Sequence, residues 1–209
     1  MTVSYEYNEA AAVAADKAAS RITEGGAYVG TFKNVWAIES SGGAQGLSFI
    51  FDSPGNGVIE FTQYTIGKDG SDIRGANFVN AMMFMLGLKQ LKSELGKAEV
   101  WDDDAKKRVE QEVEAFPAMC GKPIGLMFQR ELRTYKNPET GKVTNQDNLN
   151  LECVFQPETR LLLSEIKERK TTPVKYDRML KTCLKTKDSR KPEAAEPAQP
   201  SLGVEAGSY

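Results

Sequence analysis

The chain has 209 residues, of which 40% are hydrophobic, and its formal net charge is −2. This length predicts one domain with extensions or two small domains, and the charge excludes a uniformly basic nucleic-acid binder. The sequence has no histidine, so the usual general base and the catalytic triads built on it are missing. We therefore expect a binding protein that is not an enzyme.

The first part of the chain predicts an alanine-rich segment followed by strands. Residues 1–21 form this N-terminal segment, in which 8–20 favour a short helix with almost no large apolar side chain. The following runs are rich in aromatic and β-branched residues and are separated by glycine-containing turns. They predict three strands, at 27–38, 47–51 and 58–66.

The next part of the chain changes to helical spacing. Residues 75–96 repeat apolar side chains through Phe78, Met82 and Leu86, which predicts a helix with one buried face that plugs a barrel. Its crowded methionines could alternatively form an adaptable groove for a protein partner. Residues 101–116 begin with aspartates and carry a narrow apolar stripe, a pattern that predicts a second helix capped by those aspartates.

Two further strands complete the predicted fold. They lie at 122–136 and 148–156 and are joined by a polar loop. Three strands, a helical segment and two more strands do not alternate as a parallel α/β fold would. The order predicts a mainly β protein with helical insertions: a five-stranded OB-fold Greek-key barrel with helices between strands 3 and 4 and a C-terminal extension. The predicted domain covers 22–170, and 171–209 form a basic, then mildly acidic, flexible tail.

The near-zero net charge hides separate basic and acidic blocks. Residues 160–191 contain eleven Lys or Arg against four acids, and 122–142 also carry an excess of cations, whereas 99–116 hold seven acids against three bases. A long basic run suits a polyanion because cations that neutralise phosphates release counterions. A solvated helix face is the alternative interpretation of such a run.

Aromatic side chains are interleaved with these cations. Tyr28, Phe32 and Trp36 are spaced to share one side of a strand, while Tyr64 and Tyr135 belong to others. Bases of a single nucleic-acid strand stack on such rings, each worth about 1–3 kcal/mol, while Lys and Arg follow the backbone. Trp36 could alternatively belong to the core of so small a barrel. The predicted DNA-binding residues are Lys33, Trp36, Tyr64, Lys68, Arg74, Arg130, Arg133, Tyr135, Lys136 and Lys142.

The chain resembles bacteriophage single-stranded DNA-binding proteins of the OB-fold type over residues 22–157. The segments that carry the resemblance are GGAYVGTFKNVWAI, FIFDSPGNGVIEFTQYTI, GKDGSDIRGANFVNAMMFMLGL and GKPIGLMFQREL. The resemblance implies a protein that coats single-stranded DNA during DNA replication and recombination, without sequence preference or cofactor, in the host cytoplasm. It also implies an acidic tail that recruits replication or recombination proteins. Residues 192–209 contain only three glutamates.

Cysteine usage and hydropathy agree with a cytoplasmic protein. The chain has three cysteines, an odd number, and no two of them are close in sequence: Cys120, Cys153 and Cys183. This does not suit a disulfide framework or a zinc site. No apolar run is long enough to span a membrane, and the acidic N-terminus does not resemble a signal peptide.

Three alternative functions stay open at this point. A metal-dependent nuclease could use Asp102–Asp104 or the Glu165-x-Lys167 motif, but two-metal chemistry needs carboxylates from different elements. A protein-interaction or virion module could use the same barrel and the methionine-rich helix. A strand-annealing recombination protein would share the proposed DNA surface.

Overall fold

A computed structural model describes residues 21–102, 105–137 and 140–190. These residues form a mainly β structure whose strands all belong to one sheet, antiparallel except for its last strand. The helix predicted at 8–20 and the tail from 191 onward lie outside these ranges.

The described residues contain eight strands, three α-helices and one short 3₁₀ turn. The strands are β1 (Gly26–Glu39), β2 (Gln45–Ser53), β3 (Gly57–Ile66), β4 (Glu94–Asp102), β5 (Lys107–Ala115), β6 (Pro123–Lys136), β7 (Val143–Phe155) and β8 (Lys187–Ser189). The helices are α1 (Arg74–Met85), α2 (Leu163–Lys167) and α3 (Val174–Cys183), and the 3₁₀ turn is Pro117–Met119. No helix in these ranges has the length and apolar character needed to cross a membrane.

The long strand β1 is the centre of the sheet. Its first half, 26–31, pairs with β6, and its second half, 31–39, pairs with β2. A register irregularity between Phe32 and Asn34 separates the two halves, and such bulges bend a strand. Because β2 also pairs with β3 and β6 with β7, the hydrogen bonds follow the path β3–β2–β1–β6–β7. The sheet is open between β3 and β7.

The helix predicted at 101–116 is wrong. This segment forms the end of β4 and all of β5, which pair antiparallel from Glu94↔Ala115 to Asp102↔Lys107. Val109 and Val113 are four residues apart, a spacing that suits one face of a helix and also one face of a strand. The partner strand decides between them, because Val100 pairs with Val109 and Gly96 with Val113. The predicted count of five strands was therefore too low.

The β4–β5 hairpin lies over the outer face of the first three strands. Ala115 pairs with Trp36 of β1, and the side-chain amide of Asn34 donates to the Lys97 carbonyl at 3.1 Å. Arg108 reaches across to β3 and forms an ion pair with Glu60. This hairpin explains why Trp36 is buried although it points away from the main core.

The main hydrophobic core lies inside the curved sheet and under α1. Phe32, Phe49 and Phe61 pack together, with the rings of Phe49 and Phe61 stacked at 4.9 Å. Met82 of α1 is fully buried against this cluster, as predicted for a helix with one core-facing side. The helix is shorter than the predicted 75–96: it ends at Met85, and 94–96 belong to β4. It ends before Gly87, whose φ of 70° belongs to the left-handed region.

A second core lies on the opposite face of β6 and β7. It joins Met127, Cys153 and Phe155 of the sheet to Tyr176 and Cys183 of α3. After α3, β8 adds to β6 as a parallel strand. The segment 174–189, predicted as flexible tail, is thus packed against the sheet, because a cluster of apolar side chains on α3 covers an apolar sheet face.

Candidate nucleic-acid interface

An open cleft separates the unpaired edges of β3 and β7. Its volume is about 1050 Å³, and its walls include 59–63 of β3 and 147–152 of β7. Arg74, Gly75 and Phe78 of α1 also line it, as do 21–23. The two edge strands carry backbone groups that have no strand partner on this side, so the cleft is polar as well as apolar.

The cleft wall carries both signs of charge. Five cations and four carboxylates line it: Arg21, Arg74, Arg108, Arg133 and Lys187, with Glu60, Glu131, Asp147 and Glu152. Every one of these carboxylates is in an ion pair with a cation. Within the described residues, only Arg21 and Arg133 of the five cations form no ion pair. These two are the cations available to an anionic ligand without breaking an existing pair.

Arg74 lies where α1 begins against β3. Its guanidinium is 2.8 Å from Glu152 of β7 and 5.2 Å from the centre of the Phe78 ring. The approach of α1 to β3 requires glycine at the next position, since a Cβ on Gly75 would lie 1.9 Å from the Tyr64 carbonyl oxygen. This close contact places Arg74 beside both cleft walls.

Glu131 organises the β8 side of the cleft. Its carboxylate accepts hydrogen bonds from Lys187 and Ser189, both at 2.8 Å, and from Asn150 at 2.7 Å. These bonds, that of Lys187 most, hold the pKa of Glu131 below its usual value. Asn148, also in the wall, has a buried Nδ2 that donates to no described residue. Lys187 is therefore held by Glu131 in a network of hydrogen bonds that also includes Ser189 and Asn150.

Besides Arg74, two more of the predicted contact residues are held in ion pairs. The Arg130 guanidinium makes hydrogen bonds to Asp147, the shortest at 2.6 Å, and to Glu24 at 3.0 Å. The hydrogen bonds to Asp147 are the main reason that the pKa of Arg130 is raised. Lys33 is 3.1 Å from Asp52 and does not line the cleft. Both side chains therefore form ion pairs within the protein that link one strand to another strand or to a loop.

The prediction for Trp36 is wrong in this structure. Its side chain is only 2% exposed, beneath the β4–β5 hairpin, and no ring face is open to a base. The sequence spacing correctly placed Trp36 on a strand, but that spacing did not show that another hairpin covers this side. Replacing Trp36 should therefore affect stability first.

The outer half of the β6–β7 hairpin brings four predicted residues together. We call residues 133–137 and 140–146 the hairpin arm; it exposes Arg133, Tyr135, Lys136 and Lys142. Tyr135 is 42% exposed, and Arg133 donates only to the Gln146 side chain at 3.0 Å. The three cations form no ion pair with any described residue, and the described part of the arm contains no acidic side chain. Arg133 also lines the cleft, so arm and cleft are continuous.

The remaining predicted residues are exposed near the end of β3. Tyr64 lies in β3 and Lys68 in the turn that follows it, and both are exposed. The close contact between Gly75 and the Tyr64 backbone brings this pair near Arg74. Seven of the ten predicted residues thus form two groups, one near Arg74 and one on the hairpin arm, and Lys33, Trp36 and Arg130 belong to neither group.

Sequence reasoning missed several cleft residues. Arg21 and Arg108 are single cations in otherwise unremarkable segments, and no local pattern marks them. Lys187 lies inside the basic block at 160–191. That block predicted contact with a polyanion, but it did not single out Lys187 as a cleft residue. Glu152 lies in the strand predicted at 148–156, and no local pattern marks it as a cleft residue.

The described residues give no support to the nuclease alternative. Asp103 and Asp104 lie outside the described residues. Glu165 is fully buried and accepts backbone N–H groups of Leu162 and Lys175. Across 21–102, 105–137 and 140–190, no three His, Cys, Asp or Glu side chains are placed to hold a metal ion.

Comparisons with protein-family models and with curated proteins find no match. The geometry and charge of the cleft and the arm are therefore the basis for assigning a function.

Proposed function

We propose that this protein binds single-stranded DNA without sequence preference, along the cleft and the hairpin arm. The observation that carries this proposal is the arm itself, which exposes Tyr135 among three cations that no described carboxylate neutralises. Because Arg133 belongs to both surfaces, a strand that stacks on Tyr135 can continue into the cleft.

The chemistry of the arm suits single strands better than duplexes. Unpaired bases offer flat faces that stack on a tyrosine ring, while cations follow the phosphates. In a duplex those faces are covered by neighbouring bases, so Tyr135 would have nothing to stack on. The cleft is close to neutral, with two cations free of pairs, and it therefore contributes shape and hydrogen bonds more than long-range attraction.

The strand path supports an OB-type barrel as the framework. The order β3–β2–β1–β6–β7, with α1 after the third strand, is the order expected for that fold. In this interpretation the β4–β5 hairpin is an insertion, and α2, α3 and β8 are additions that cover β6 and β7. OB-folds bind oligonucleotides on the face of their strands 2 and 3 and in the loops that join strands 1 to 2 and 4 to 5. In this interpretation the hairpin arm is the loop that joins strands 4 and 5.

The resemblance stated from the sequence supports a biological setting. We propose that the protein is encoded by a bacteriophage and protects single-stranded DNA in the host cytoplasm during replication or recombination. Replication or recombination proteins are the proposed partners besides DNA.

The first experiment is fluorescence anisotropy of labelled oligo-dT at low and high salt, with duplex DNA and RNA as competitors. We expect salt-sensitive binding that duplex does not displace. Arg133→Ala and Tyr135→Ala should each weaken binding roughly 5-fold or more, from the loss of a phosphate contact or a stacked base. Lys97→Ala removes the same charge as Arg133→Ala on the outer face of the β4–β5 hairpin and should leave affinity nearly unchanged.

Two outcomes would contradict the proposal. Absence of oligo-dT binding at low salt would remove nucleic-acid binding altogether. Binding that Arg133→Ala, Tyr135→Ala and Lys97→Ala reduce equally would show that only total charge matters, and the hairpin arm would lose its assigned role.

A further inference from the structure

Helix α3 has an outward face that nothing in the described structure covers. Tyr176 and Cys183 point to the sheet and are buried, so the opposite side of the helix faces solvent. Val174 is 66% exposed and Leu184, just after the helix, is 63% exposed. We call this surface the α3 stripe; its members are Val174, Arg178, Lys181, Leu184 and Lys185. The three cations form no ion pair with any residue that the structure describes.

The β4–β5 hairpin has an outward face of the opposite charge. Strand pairing places Leu95 beside Glu114, and Glu99 beside Glu110, on the side away from the buried Ala98. Leu95 is 77% exposed. We call this surface the ribbon face; its members are Leu95, Glu99, Glu110, Glu112 and Glu114. Lys97 lies on the same face, opposite Glu112 in the strand register, and pairs with Glu110 at 2.6 Å. Glu112 and Glu114 have no ion pair within the described ranges.

We propose that the α3 stripe of one molecule binds the ribbon face of a second copy of this chain. Each surface has at least one exposed aliphatic side chain among charges that are mostly of one sign, and the net signs are opposite. The minority charges are Lys97 and Arg108 on the ribbon face and Asp177 beside the α3 stripe. Apolar contact surrounded by charged groups is the usual composition of a reversible protein interface, and complementary charge guides such surfaces together.

The two surfaces belong to different sides of the molecule. Helix α3 packs on β6 and β7 through Met127, Cys153 and Phe155, whereas the hairpin packs on β1 around Asn34 and Trp36. Contact between two different surfaces is heterologous, so a pair of copies keeps one free α3 stripe and one free ribbon face, and each of these can bind a further copy. The expected product is a head-to-tail chain. This inference does not depend on DNA binding.

The test is sedimentation velocity of the full chain without DNA, over a range of protein concentrations at low and high salt. We expect mass to rise with concentration at low salt and to fall when salt screens the charges. Two charge-reversal variants test the surfaces: E110K/E112K/E114K on the ribbon face and R178E/K181E/K185E on the α3 stripe. Each variant alone should remain monomeric, because both of its surfaces then carry the same sign.

Mixing the two variants is the decisive step. In a mixture, every contact between unlike molecules again joins opposite charges, so assembly should return. K89E/K92E reverses two exposed lysines outside both surfaces and should assemble like the unmodified chain. If a reversal variant loses its circular dichroism signal, the milder E112Q/E114Q replaces the ribbon variant. It should weaken association roughly 3-fold or more.

Three results would overturn the inference. The first is a monomer at all concentrations in low salt. The second is assembly of either folded reversal variant, or of E112Q/E114Q, at the level of the unmodified chain. The third is a mixture of folded variants that stays monomeric, which would show that the two surfaces do not bind each other.

Discussion

Arg74 and Glu152 connect the two sides of the cleft. The Arg74 guanidinium, where α1 begins beside β3, is 2.8 Å from the Glu152 carboxylate on β7. Glu152 is the more enclosed of the two, and Arg74 also lies over the Phe78 ring. An anionic ligand in the cleft must therefore compete with Glu152 for Arg74, and this competition lowers the affinity that the cleft would otherwise have.

Glu152→Gln should tighten the binding of oligo-dT. The change keeps the shape of the side chain, removes one negative charge from the cleft and frees Arg74, so we expect roughly a 2- to 5-fold gain in affinity at low salt. The dependence of log K on log salt should steepen by about 0.7 for one added phosphate contact. Arg74→Ala serves as the opposite change and should weaken binding. Weaker binding by Glu152→Gln would mean that the ion pair positions Arg74 for the ligand.

Tyr176 and Tyr135 should separate stability from binding. Tyr176 is buried in the second core, edge-to-face with Phe155 at 5.0 Å, so Tyr176→Ala should lower the free energy of unfolding by about 3–5 kcal/mol. Tyr135 is an exposed residue of the arm, and Tyr135→Ala should change it by less than about 0.5 kcal/mol. Urea denaturation followed by circular dichroism measures both. Equal losses would show that the arm packs against the protein in solution.

Glu165 should be important for the C-terminal helices. Its buried carboxylate accepts the backbone N–H of Leu162 at 3.1 Å and that of Lys175 at 2.7 Å, which ties the start of α2 to the start of α3. Glu165→Ala leaves both donors without a partner and should cost about 2–4 kcal/mol of unfolding free energy. Glu168→Ala, which removes the exposed ion pairs with Lys170 and Lys175, should cost less than about 1 kcal/mol. Similar values for the two variants would show that water replaces Glu165.

The buried thiols should be unreactive in the native protein. Burial raises the pKa of Cys153 to about 12 and that of Cys183 to about 11, and the thiolate is the reactive form. At pH 8 a thiol reagent should modify Cys153 and Cys183 only after unfolding. Fast modification of more than one thiol in the folded protein would contradict this, since Cys120 is the only one of the three that is partly exposed.

Ionisation of the same two thiols should lower the free energy of unfolding at alkaline pH. Their pKa values are higher in the folded than in the unfolded chain, where a thiol ionises near pH 9. The unfolded state therefore loses these protons first, and the unfolding free energy should fall as pH rises from about 9 towards 11. Cys153→Ser/Cys183→Ser should flatten this part of the stability curve. If the double variant shows the same fall in unfolding free energy between pH 9 and 11, groups other than these thiols cause that fall.

Local pattern was sufficient for the elements that bury one face against the main core. The alternation around Phe49 and Phe61 and the helical spacing through Met82 each match a single period, so the three N-terminal strands, α1 and the β6–β7 hairpin were predictable. The exposed cations and the tyrosine of the arm were predictable as well. They lie at a hairpin end, where the chain itself keeps side chains in solvent.

Where a sequence pattern suits two kinds of local structure, only the tertiary structure decided which one forms. Val109 and Val113 suit a helix or a strand, and pairing with β4 selects the strand. Trp36 is buried because that same hairpin covers it, and the basic segment around Tyr176 is packed because Met127 and Phe155 leave an apolar face on the sheet. These outcomes depend on residues far apart in sequence, whose contacts gain energy only after the sheet has formed.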